Sequence, residues 1–526
     1  MERDYPYGDL RDYLAELDSR RLLTRVATTV DKDSQLVPLV RLQFRGLDEP
    51  ERRAFSFEQV TDGRGRSFDA TVAIATFAAN RDVYAAALGV DGLDEVGAVW
   101  QQALSRPIEP VEVETGPCKD VVVTDPAEID AIGGVDAFPH PVSTPGFDPA
   151  PFLTAGCWIS KDPEDGTYNS GVYRGMIKGP RRVGLQMDTP SQHIAIQLRR
   201  AKKLGVKLEA AIVVGAVPAV ALSSVQKVAY GVSELGIAGG LMGRPLEVVR
   251  CETVDLHVPA AAELVIEGFV DPDAVEPEGP FGEASGFMGP RTISPWLEVT
   301  GITHRRRPVV QAFISEFPPS ESTLMRKIGF ENVYRRFLRE ACNLASVQDV
   351  CFYEMATCNM MFAIRMRDPS PGQAWQALYA AAGYEPSMGK IIVAVNDDID
   401  PDDLESLVWA LAFRTQPRQD VRFLESRLAR LDPSLPADPA DPVRADASAM
   451  LIDATRAHPY PPTSLPSREH MVAAQQLWGE LGLPALALRE PWSGYELGAW
   501  DEQNRTEAER ATQGSYLETG NELLSQ

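Results

Sequence analysis

No run of about 18 apolar residues occurs in this sequence, so no transmembrane helix is expected. Its six cysteines (Cys118, Cys157, Cys251, Cys342, Cys351, Cys358) are scattered, with no Cys-x-x-Cys. That excludes a zinc ribbon or a disulfide frame and fits reduced thiols in a cytoplasm. The six histidines form no His-Glu-x-x-His, so any metal site must draw mixed ligands from distant segments. Positive charge is in deficit: 51 Lys and Arg stand against 75 Asp and Glu, a net charge of −24. A nucleic-acid groove or a surface for anionic membranes wants the opposite balance. The opening residues, Met1-Glu2-Arg3-Asp4-Tyr5, lack a basic-then-apolar signal pattern. The chain carries no internal repeat.

What is present is a globular composition, 44% apolar and 24% charged, spread over 526 residues. Such a length exceeds one core and predicts several domains. Residues 8–25 have apolar side chains at helical spacing. Thr71–Thr76 reads as a buried strand and Arg81–Leu88 as a helix, so residues 1–115 are expected to be an α/β domain. A Pro-rich stretch follows, with Phe138-Pro139-His140-Pro141 and Thr144-Pro145-Gly146. It reads as an irregular connection into a new domain. Residues 116–320 then alternate strand-like runs with a few helices, among them Gln192–Leu204, and predict a mainly β domain of barrel type. Pro308–Ser315 is expected to close that block as a strand. Residues 321–466 return to an α/β pattern: strands at Phe362–Met366 and Lys390–Val395, a helix at Gln373–Ala382, and a helix start capped at Asp398-Ile399-Asp400-Pro401. Leu431–Ala447 reads as a Pro- and Asp-rich loop. Residues 467–526 predict a C-terminal helix and a polar tail.

The chemistry concentrates in four short runs. Glu278-Gly279-Pro280-Phe281-Gly282-Glu283 puts two carboxylates on either side of a tight turn, where like charges push one carboxyl toward holding a proton. Asn169-Ser170-Gly171-Val172-Tyr173-Arg174 brings an amide and a guanidinium. Gln192-His193 and Ser233-Glu234 add an imidazole and an acid. Asn169, His193 and Glu234 offer an O, N, O set suited to Mn2+ or Mg2+. Singly, each has an ordinary reading: a turn residue, a helix-start histidine, a surface acid.

Taken in order, these runs resemble the UbiD family of reversible decarboxylases that use prenylated FMN. Asn169 and Arg174 keep the family spacing. Glu234 stands before the Gly239-Gly240 pair, and the Glu-Gly-Pro-Phe-Gly-Glu run of 278–283 follows. The resemblance extends over nearly the whole chain and is strongest in 150–320. It implies a three-part α/β (α+β) fold: an N-terminal α/β domain, a central split β-barrel that binds flavin, and a C-terminal α/β oligomerisation domain with a terminal helix. It implies Asn169, His193 and Glu234 as metal ligands for Mn2+ or Mg2+, with K+ near Ser223-Ser224. It implies Asn169, Ser170, Gly171, Val172, Tyr173, Arg174, Gln192, His193, Glu234 and Lys390 around the cofactor. Arg174, Glu278 and Glu283 become the catalytic group, with Glu283 the proton donor. The implied partners are a small carboxylic acid, aromatic, heteroaromatic or α,β-unsaturated, a flavin prenyltransferase supplying the cofactor, and a second copy of the chain.

Many members carry an aromatic residue just after the metal glutamate, where this chain has Leu235-Gly236-Ile237. The particular acid is therefore left open. Two other functions stand beside the decarboxylase: an FMN oxidoreductase, and a flavin-binding assembly subunit without chemistry. An oxidoreductase has no need of Arg174 with two acids. An inactive subunit would be expected to lack one of the six key residues, and all six are here.

Overall fold

The structure is a computed structural model that describes residues 5–187, 189–226, 228–427, 432–436, 447–517 and 519. The chain divides into two compact units, Met1–Ile328 and Gly329–Gln526. Most of the loop expected at Leu431–Ala447 and the end of the polar tail lie outside the described residues. Among the described residues, no helix is long and apolar enough to cross a membrane.

The first unit opens with helix Leu10–Ser19. The Asp9 carboxylate caps it by accepting from the Asp12 N–H at 2.9 Å, and Leu10, Tyr13, Leu14 and Leu17 bury one face. That helix adjoins a four-stranded sheet in the order Leu23–Val26, Ala54–Phe57, Thr71–Ile74, Val309–Ala312. The last strand corrects an expectation. Val309–Ala312 does not close the β block; it runs parallel to Thr71–Ile74, with Val309 opposite Thr71. A parallel partner that far back in sequence leaves no local signature, because the strand is buried and apolar in either sheet.

The larger sheet is antiparallel throughout. Its order is Tyr168–Val172, Cys157–Lys161, Leu208–Val214, Leu264–Glu278, Thr292–His304, Arg182–Gly184, Gly175–Gly179, Phe152–Leu153, and Val121–Val123 pairs onto Thr292–His304. One feature forces its shape. The first strand in that order and the seventh are joined by Tyr173 and Arg174 alone. Two linking residues span roughly 11 Å at most, so the sheet must curl until its edges nearly meet. The result is a split barrel with Arg174 at the seam. The Trp158 indole N–H donates to the Tyr173 carbonyl at 2.9 Å and pins that corner.

The longest hairpin of the sheet runs from the pair Leu264 and His304 to the pair Glu278 and Thr292. Its tip is residues 279–291. The Glu-Gly-Pro-Phe-Gly-Glu run thus begins at the last paired residue of a long strand and is carried by a rigid ladder. Gly279 has φ +79°, a left-handed backbone open to glycine, and that turns the chain there. Phe281–Gly282 then pairs with Met288–Gly289 in a small secondary hairpin.

The second unit is a five-stranded sheet in the order Val347–Phe352, Met361–Met366, Ile391–Asn396, Ala449–Ala454, Val421–Leu424. Its three central strands are parallel, with helices Gln373–Tyr384 and Leu404–Arg414 in the connections. Tyr334, Phe352 and Phe362 form an aromatic core on one side. Asp398 does not cap a helix. Its carboxylate takes both Arg414 guanidinium nitrogens, at 2.8 and 2.6 Å, while Asp403 caps Leu404–Arg414. Helices Arg468–Glu480 and Glu502–Thr512 follow.

Candidate active site

Two adjoining groups of side chains occupy the seam of the barrel in the first unit. The first is built on the edge strand Tyr168–Val172 and two helix N-termini. Asn169 lies opposite Ser160 in the ladder and is 2% exposed. Its amide orientation is fixed by a chain of donors. The Gln197 amide donates to the Thr167 carbonyl at 3.0 Å, so the Gln197 oxygen accepts from the Ser160 hydroxyl at 2.6 Å. Ser160 must then accept from Asn169 Nδ2, at 3.1 Å. That leaves Asn169 Oδ1 as an available carbonyl oxygen, with the Tyr173 hydroxyl at 3.5 Å.

Glu234 is the first residue of helix Glu234–Met242, whose N-cap Ser233 accepts from the Gly236 N–H at 3.0 Å. The buried carboxylate accepts from the Ser170 N–H at 3.1 Å through Oε2 and lies 3.3 Å from His193 Nδ1 through Oε1. His193 in turn is the first residue of helix His193–Leu204, with Gln192 at the cap position. Two helix N-termini therefore open toward one place, which suits an anion such as a phosphate. Carbonyl oxygen, imidazole nitrogen and carboxylate oxygen form a donor set that fits a hard divalent ion. Burial pushes the Tyr173 hydroxyl up to about 12, with the Glu234 charge adding to the effect.

The second group is Arg174, Glu278 and Glu283. Arg174 donates to Glu278 through Nε at 3.3 Å and Nη2 at 3.0 Å, and to Glu283 through Nη1. Its guanidinium also stacks over Phe281, 5.1 Å from the ring centre. Glu278 is nearly fully buried, while the Glu283 side chain is 19% exposed. Burial alone would lower the Arg174 guanidinium. The hydrogen bonds and charges of the two acids outweigh it and hold the group above its usual value.

The other expected residues are placed as follows. Gly171 and Val172 continue the edge strand beside Asn169. Ser170 shares a hydroxyl–hydroxyl contact of 2.8 Å with Ser224, and both Ser223 and Ser224 donate to the Val220 carbonyl. Lys390 belongs to the second unit, where its ammonium lies 2.9 Å from Asp432 and 2.7 Å from Ser434.

Two segments beside the second group escaped the sequence reading. The Pro-rich stretch, taken as a connection, brings Thr144 and Asp148 there. The Thr144 N–H donates to Asp148 Oδ2 at 2.7 Å and closes a tight loop. Glu316 comes from the segment after Val309–Ala312 and pairs with Arg41. The only advance signal was the Thr-Pro-Gly turn with an acid close behind it.

The seam of a curled antiparallel barrel thus holds an arginine and two glutamates beside an O, N, O donor set. Comparison with known proteins gives the family. Residues 109–317 match the 3-octaprenyl-4-hydroxybenzoate carboxy-lyase Rift-related domain, and residues 329–454 match the C-terminal domain of the same enzymes. The chain belongs to the UbiD family and is a carboxy-lyase. It is 30% identical over 443 residues to an uncharacterised protein of Archaeoglobus fulgidus, covering 80% of this chain and 86% of that one. Among solved structures it is similar to the UbiD-class enzyme HmfF from Pelotomaculum thermopropionicum in complex with FMN. The TM-score is 0.75 at 31% identity, over 85% of this chain and 94% of that one. It also resembles the closed form of Sedimentibacter hydroxybenzoicus vanillic acid decarboxylase, with TM-score 0.73 at 25% identity, over 90% and 99% of the two chains.

Proposed function

We propose that the protein is a reversible, non-oxidative decarboxylase of an aromatic, heteroaromatic or α,β-unsaturated carboxylic acid, working with prenylated FMN. The observation that carries this reading is Arg174 bridging Glu278 and Glu283 beside the Asn169, His193 and Glu234 donor set. An evolved dimeric form of HmfF, 31% identical, is a complex with prFMN. In this chain Asn169, His193 and Glu234 would hold Mn2+ or Mg2+, which offsets the charge of the flavin phosphate. Asn169 through Arg174 and Gln192 would line the cofactor, and the buried hydroxyls at Ser223-Ser224 are the place for K+. Departure of CO2 leaves an electron pair on carbon, and prenylated FMN, when bound, supplies the electron sink that no side chain offers.

The chain's own residues do the rest. Arg174 spans both acids with a planar fork and fixes their separation. Glu278 takes two of its nitrogens and serves as the fixed anion. Glu283 takes the remaining nitrogen, Nη1, and is more exposed than Glu278, and it delivers the proton to the carbon that lost CO2. Carboxylation at high bicarbonate is the same sequence reversed. The enzyme works as a cytoplasmic homodimer or larger homo-oligomer, with a flavin prenyltransferase supplying the cofactor.

The test is to co-express the chain with a flavin prenyltransferase, record its visible spectrum, and assay CO2 release across a panel of such acids. A modified flavin with CO2 release is expected. A preparation that takes up no modified flavin overturns the proposal.

A further inference from the structure

Three oxygens next to the arginine and its two acids are buried and lack any hydrogen-bond partner: Thr144 Oγ1, Asp148 Oδ1 and Glu316 Oε1. They are not loose ends of mobile groups. Asp148 Oδ2 is held by the Thr144 N–H at 2.7 Å. Glu316, 6% exposed, has its other oxygen held by the Arg41 guanidinium and by the Ser315 N–H at 3.2 Å. In each acid one oxygen is fixed and the other is left over. A buried acceptor without a donor costs free energy, and a native fold that keeps three together points to a ligand that supplies the donors.

Their place relative to the chemistry is set by Gly282. A side-chain carbon there would lie 2.7 Å from Glu316 Cγ and 3.1 Å from Thr144 Oγ1. Gly282 directly precedes Glu283, and the absence of its side chain lets Glu316 and Thr144 pack against the backbone next to the proposed proton donor. Burial, with help from Glu316, pushes the Asp148 carboxyl up to about 6, against the lowering pull of the Thr144 and Ser143 amides and of Arg174. Asp148 thus responds to both Glu316 and the catalytic arginine.

We propose that Thr144, Asp148 and Glu316 form a hydrogen-bond-accepting subsite that reads a donor on the substrate ring, a hydroxyl or a ring N–H. The assignment rests on the decarboxylase reading above and narrows it. A methyl ether at the same position brings no donor and leaves the oxygens unpaired. A second carboxylate meets two acids and is repelled. Sites built to bond a substrate OH or NH reject analogues that lack it more strongly than apolar pockets reject a missing methylene.

The test uses the cofactor-loaded full chain and matched acids: hydroxybenzoates against their methyl ethers, pyrrole- or indole-type acids against their N-methyl forms, and the corresponding dicarboxylates. Binding is measured by calorimetry and CO2 release by kcat/KM, for wild type, Glu316→Gln and Asp148→Asn. Wild type is expected to favour at least one donor-bearing acid over its methylated partner by at least about tenfold in both measures. In each variant the ratio should fall toward one. Equal handling of every matched pair by wild type overturns the subsite, as does a ratio unchanged in both folded variants. A donor preference in binding with no CO2 release from any acid would keep the subsite and remove the decarboxylase. CO2 release without donor preference would do the opposite.

Discussion

Arg174 reaches both oxygens of Glu278, through Nε at 3.3 Å and Nη2 at 3.0 Å, and keeps Nη1 for Glu283. One planar group therefore sets the positions of two acids. A lysine offers a single charged point on a flexible stem and cannot hold both at once. In Arg174→Lys, CO2 release should fall by at least about a hundredfold. The bound flavin spectrum should persist, because the other cofactor-lining residues remain. Turnover near wild type in the loaded variant would remove the fork from the mechanism.

Glu283 is the proposed donor, and its room is made by a missing side chain. A carbon added at Gly289 would fall 2.7 Å from Glu283 Oε1. Glu283→Gln keeps the shape and removes the proton; cofactor binding should survive while CO2 release drops by at least about a hundredfold. Gly289→Ala keeps the acid and displaces it. It should lower kcat clearly with little change in thermal midpoint, since Gly289 sits in a two-residue strand of the small secondary hairpin. Full activity in both variants would reassign the donor.

Much of this site was legible because its chemistry lies in contiguous runs. Glu278 to Glu283 is a turn with its acids at both ends, and Asn169 to Arg174 is the end of a strand and the corner after it. The helix expected over Gln192–Leu204 is there and starts at His193, whereas the helix that Glu234 starts was not foreseen. What was not legible came from long-range closure. Nothing local in Val309–Ala312 says that it pairs with Thr71–Ile74. Nothing in the Pro-rich stretch says that Thr144 and Asp148 end beside Glu316, because prolines mark irregular backbone without saying where it goes. Asp398 shows the same limit in the second unit. Its sequence neighbours suggested a helix cap, and a guanidinium sixteen residues on took the carboxylate instead.

The donor set makes a separate prediction. His193 Nδ1 and Glu234 Oε1 lie 3.3 Å apart, and Asn169 Oδ1 is held ready by the Ser160 and Gln197 chain. Replacing Glu234 by Gln keeps the size and the Ser170 contact but removes one charge. The purified variant should carry at least about tenfold less Mn2+ by elemental analysis, in keeping with what ligand-shell changes cost. Ser160→Ala frees the Asn169 amide to turn and should weaken metal retention less than Glu234→Gln does. Undiminished metal in Glu234→Gln would exclude Glu234 as a ligand.

Glu321 carries the last prediction, which concerns stability. It is fully buried, with its oxygens accepting from the Phe77 N–H at 2.7 Å and the Ile314 N–H at 3.2 Å. It thereby ties the end of Thr71–Ile74 to the end of Val309–Ala312. Burial raises its carboxyl to about 8, against the lowering pull of those amides. In the unfolded chain the group ionises near 4.5. Between 4.5 and 8 the native state keeps a proton that the unfolded chain has lost. Stability from this group is therefore full below the lower value and falls as pH rises through the window, by about 1.4 kcal/mol per pH unit. Glu321→Gln cannot titrate. The difference between wild-type and variant urea midpoints should shift steadily against wild type from pH 5.5 to 7.5. A constant difference across that range would mean that Glu321 ionises alike in both states.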